Sequence, residues 1–63
     1  MRKTAPLGTK VVSQDQMEGF IIQTRKTMPE MDSRFDYGVE VDPDGTGTRM
    51  WCYAASELTE VKP

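Results

Sequence analysis

FDYGVEVDPDGTGTRMWCY, residues 35–53, reads as two strands joined by a turn. Phe35, Tyr37, Val39 and Val41 alternate with Asp36, Gly38, Glu40 and Asp42, so one face is apolar and the other polar. That period of two is the mark of a half-buried strand. Asp42-Pro43-Asp44-Gly45 supplies turn chemistry, and Thr48 to Tyr53 returns as the partner strand. The inward face is expected to be Phe35 to Val41.

Working outward, Gly19-Phe20-Ile21-Ile22-Gln23-Thr24 is a β-branched and aromatic run and predicts a second strand. Its unbroken apolar triplet implies burial on both faces, or one residue turned toward a partner. Gly8-Thr9-Lys10-Val11-Val12 predicts a turn entering the first strand, and Ser13 to Glu18 a polar loop. Residues 25–34 (RKTMPEMDSR) lack a clean period, contain Pro29 and predict a long loop. Ala54-Ala55-Ser56-Glu57 predicts a single helical turn, and Leu58-Thr59-Glu60-Val61 a fifth strand. Residues 1–7 are expected to form a flexible arm, with one domain over 8–63.

The chain has 63 residues, so its core is thin; 37% are hydrophobic and five are aromatic. Cys52 is the sole cysteine and histidine is absent, which excludes an internal disulfide and a Cys/His zinc site. Packing and self-association remain as routes to stability, which raises the expectation of a homo-oligomer. A lone thiol fits a reducing cytosol. Met1-Arg2-Lys3 precedes no apolar segment of the length a signal peptide or a membrane span needs, so a cytoplasmic protein is expected. Ten acidic against eight basic residues, net −2, argue against phosphate neutralisation as the main source of affinity.

Five short strands, a long loop after the second, a tight turn after the third and one helical turn before the fifth resemble the SH3-like small β-barrel. The residues carrying this are Gly8-x-x-Val11, Gly19-Phe20-Ile21, Tyr37-x-Val39 and Leu58-x-x-Val61. The fold class expected is therefore all-β, an SH3-like five-stranded barrel with a short helical turn before the last strand. Within it the chain resembles the plasmid-encoded type II dihydrofolate reductase group. That family ends in a Val-Gln-Ile-Tyr motif, an Ala-rich turn, a Leu and a last apolar residue. Here Met50-Trp51-Cys52-Tyr53, Ala54-Ala55-Ser56-Glu57, Leu58 and Val61 match that order. Trp51 stands where the family has its glutamine, and the family's first-loop lysine has no match around Ser13-Gln14. Only Tyr53 carries over, so the resemblance implies the barrel, an origin in a bacterium, phage or other mobile element, and an oligomer, but not the folate and nicotinamide site. No cofactor is expected.

Arg49, Trp51 and Tyr53 share one face of the fourth strand, with Met50 and Cys52 on the other. Two parities are open. If Met50 and Cys52 point inward, Trp51 and Tyr53 form an exposed aromatic pair beside Arg49, the composition of a binding hot spot. If Trp51 and Tyr53 point inward, they are the largest residues of the core.

Asp36, Glu40, Asp42 and Asp44 gather on the polar side of the hairpin, near Arg25, Lys26, Arg34 and Arg49, which describes a salt-bridged face or an acidic patch for a basic partner. Met17, Met28 and Met31 fall in loops, as adaptable contact surface or as caps on the barrel ends. Asp42-x-Asp44-Gly45 invites a calcium reading, but the twelfth position from Asp42 is Tyr53, so a turn is the simpler reading. Without histidine or a nucleophile–base pair, catalysis is not expected. The expected function is a non-catalytic accessory module that binds protein through Arg49, Trp51 and Tyr53 with Arg25, Lys26, Met28, Met31 and Arg34 of the long loop. The alternatives are a nucleic-acid-binding module using those cations, and a reductase-like oligomer.

Overall fold

The computed structural model describes residues 1–41 and 49–62. It contains β1 (Lys10–Ser13), β2 (Glu18–Thr24), β3 (Tyr37–Val41), β4 (Arg49–Tyr53), a 3-10 turn (Ala55–Glu57) and β5 (Leu58–Glu60). All pairings are antiparallel, and the strand order is β4-β3-β2-β1-β5. The fold is all-β, and this order, with a helical turn just before the last strand, is compatible with an SH3-like barrel. The Asp42-Pro43-Asp44-Gly45 turn, Thr48 and the calcium motif lie outside the described residues.

Several strand boundaries have a local cause. Gly8 takes a positive φ of 88°, a conformation glycine adopts without steric penalty, and its N–H donates to Ile21 O at 2.8 Å. Ser13 closes the β1–β2 turn: its hydroxyl donates to the Asp15 carboxylate and accepts from Met17 N–H at 3.1 Å. Those contacts let a hydroxyl sit buried in an otherwise apolar core. The 3-10 turn is capped by Glu57, whose carboxylate accepts from Ala54 N–H at 2.8 Å.

Val11, Ile21, Tyr37, Val39, Val41, Tyr53, Ala55 and Leu58 make the core, with Ala5 of the N-terminal segment. The apolar triplet in β2 resolves through an irregularity between Ile21 and Gln23. Phe20 turns outward and is 50% exposed, while Ile21 is fully buried. Phe35 departs from its expected place. It precedes β3, is half-buried and stacks beneath the Arg34 guanidinium at 5.0 Å instead of joining the inward face.

Within residues 1–7, expected as an arm, Met1 and Ala5 pack on the core. The Tyr37 hydroxyl accepts from Ala5 N–H at 3.0 Å and donates to Arg2 O at 2.5 Å. The Met1 nitrogen donates to Ala55 O at 2.9 Å. Arg2 pairs with Glu60 at 2.9 Å, an exposed contact that adds little.

Two substitutions report on this architecture. A β-carbon at Gly19 would stand 2.2 Å from Glu40 O and 2.8 Å from Val39 Cγ1. Gly19→Ala is therefore expected to lower stability by roughly 1–3 kcal/mol, read as a reduced urea midpoint at unchanged slope. Tyr37→Phe keeps the ring but strands the Ala5 N–H, at a cost of about 1–3 kcal/mol. Its distinguishing readout is faster hydrogen exchange at residues 1–7.

Candidate functional site

The parity of β4 follows from its register with β3. Tyr37 pairs with Tyr53, Val39 with Trp51 and Val41 with Arg49, so these three β4 residues lie on the core side of the sheet. Gly38 faces Cys52 and Glu40 faces Met50 on the outer side. Core side does not mean buried here. Tyr53 is 9% exposed, but Trp51 is 52% exposed although its partner Val39 is at 1%. Among the described residues β4 has a partner strand on one side only, and of its three core-side residues Tyr53 is enclosed while Trp51 and Arg49 are exposed.

On the outer side one cross-strand row runs Lys10, Phe20, Glu40, Met50. Phe20 and Met50 are both exposed, at 50% and 40%. Met50 leans toward β3, with its sulfur 2.8 Å from where a β-carbon of Gly38 would stand. The missing side chain at Gly38 thus makes a trough that the methionine fills. Gln23, across that trough, holds its Oε1 buried without a partner among the described residues.

The long loop is tied down by its own polar groups. Arg25 donates to Asp32 O at 2.9 Å and to Phe35 O, and stands 3.9 Å from the Asp36 carboxylate. Asp36 in turn accepts from Ala55 N–H at 2.7 Å, which joins the loop to the turn before β5. Arg34 lies 3.6 Å from Asp32 and over the Phe35 ring. Lys26 is exposed, with its backbone N–H held by the Thr24 hydroxyl.

The eight residues named from sequence therefore separate. Arg49 and Trp51 stand exposed on the β4 edge. Tyr53 and Met31 are buried, and Met28 is half-buried. Arg25 serves the loop's internal geometry. Lys26 and Arg34 are exposed on the loop, away from the β4 ladder in sequence and pairing. Sequence reasoning gave no binding role to Phe20 or Met50; the apolar triplet containing Phe20 left open burial on both faces or one residue turned toward a partner, and Phe20 is the residue that turns outward.

No protein-family model, curated protein or solved structure matches this chain. No described helix is long and apolar enough to cross a membrane.

The two arginines of the loop should differ on substitution. Arg25→Met removes the donor to two carbonyls and is expected to destabilise by about 1 kcal/mol, with faster hydrogen exchange across 25–36. Arg34→Met, at a side chain 75% exposed, should stay within about 0.5 kcal/mol of the parent by urea titration.

Proposed function

We propose that the protein is a non-catalytic module that binds protein, taking an extended segment along the β4 edge. The observation that carries this reading is Trp51, half-exposed on a strand with one partner strand among the described residues. An edge strand offers backbone donors and acceptors in a row, and an added strand gains affinity from them. Specificity then comes from side chains that alternate between the two faces. Trp51 and Arg49 serve the core-side face, and Met50 with Phe20 the outer one. Tryptophan and arginine are enriched among residues that dominate binding energy, and methionine adapts to varied partners.

The nucleic-acid reading has less support. Arg25 and Arg34, two of its cations, sit against loop carbonyls, Asp32 and Asp36, and the net charge is −2. The reductase-like reading rests on the order of residues from Met50 to Val61, with tryptophan in place of the family's glutamine. A lone cysteine supports a reducing compartment such as the cytoplasm.

Selection of extended peptides from a displayed library tests the proposal. Selected peptides should lose about thirty-fold or more in affinity against Trp51→Ala, the loss of a hot-spot residue. N-methylation of alternate backbone amides in the peptide should abolish binding, while the unliganded variant keeps its fold. Peptides that bind equally well to Trp51→Ala would overturn the reading. Tight binding of single-stranded DNA that weakens steeply with salt would favour the nucleic-acid module instead.

A further inference from the structure

Ile21, Val39 and Trp51 form one cross-strand row on the core side, and their exposures are 0%, 1% and 52%. An apolar row buried at two positions and open at the third is incomplete at the sheet edge. What completes it must bring an apolar residue opposite Trp51, and must do so from a strand that pairs with β4.

We propose that this strand is β4 of a second copy, paired antiparallel about a two-fold axis through Trp51. The inference rests on the proposal above that the β4 edge is the binding surface, and it names the partner. The register argues for it. In an isologous antiparallel pair the register that overlaps all five residues of β4 sets Trp51 opposite Trp51, Arg49 opposite Tyr53, and Met50 opposite Cys52. No two like charges face each other, and every opposed pair shares a face of the sheet. The core-side row becomes Ile21, Val39, Trp51, then Trp51, Val39, Ile21 of the second copy, apolar from end to end. Shifted registers shorten the overlap, and the one that brings Arg49 opposite Arg49 sets two cations together. Opposed aromatic residues on a non-polar face are among the stronger cross-strand pairs. A chain of 63 residues with a thin core gains from such burial.

Sedimentation equilibrium and oxidative cross-linking of the full chain test it together. The parent should show twice the chain mass, with Trp51 emission shifting to the blue as concentration rises. Trp51→Lys places two ammonium groups on the axis and should sediment as a folded monomer. Met50→Cys should cross-link on oxidation, because its new thiol faces Cys52 of the other copy. Met50→Cys combined with Cys52→Ser should not, since in this register like positions stand diagonally, beyond ordinary disulfide reach. A parent that stays monomeric into the millimolar range, with no Met50→Cys cross-link, overturns the self-pairing. So does ready cross-linking of the parent through Cys52 alone, which would centre the axis elsewhere. A monomer that still binds library peptides through Trp51 would remove only the choice of partner; one that binds none would remove the binding edge as well.

Discussion

The phenol of Tyr37 ties the N-terminal segment to the sheet. Its ring is fully buried at the start of β3, flanked in the ladder by Thr24 of β2 and Tyr53 of β4. Its hydroxyl accepts from Ala5 and donates to Arg2, which brings the N-terminal segment over the core. A buried hydroxyl needs partners, and here the partners are backbone groups that would otherwise lie loose. One residue thus satisfies its own polar atom while supplying Ala5 to a core with few residues to spend. Beside Tyr37, Tyr53 is the enclosed end of the fourth strand, whose earlier core-side residues Trp51 and Arg49 lie at the surface.

That limit is a matter of size. A small sheet has two edges, and a thin core covers only part of its inner face. Tyr53 and Trp51 point to the same side of β4, yet one is enclosed and the other half in solvent. Parity of the strand and burial of the residue are separate quantities. They coincide in the middle of the sheet, at Ile21 and Val39, and part company at its border. The binding reading rests on that separation, because the border is where an apolar side chain is both aimed at a core and left uncovered.

Much of the fold was legible in the residues themselves. Alternation in 37–41, the β-branched run after Gly19, the short helical turn before Leu58 and the order of strands all agree with the structure. These signals are local, and local chemistry dictates them. The candidate site was legible only in part. Arg49 and Trp51 stand on the surface although their side of β4 is the core side, whereas Tyr53 and Met31 are buried. A period of two says which residues share a side; it does not say where along the strand the opposite wall ends. Arg25 reads as a surface cation in sequence. Only the closing of the loop brings the carbonyls of Asp32 and Phe35 around it.

The amino-acid sequence by itself determined the class of fold, the approximate span of each strand, and the absence of a disulfide or Cys/His metal staple. It also placed Trp51 and Tyr53 on a common side of one strand. Tertiary structure decided what that side means at each point: enclosure for Tyr53, exposure for Trp51, an outward turn for Phe20, and the packing of Met1 and Ala5 on the core. The physical reason is that burial is a property of neighbours. At the edge of a small sheet those neighbours come from distant parts of the chain or, as proposed above, from another copy of it.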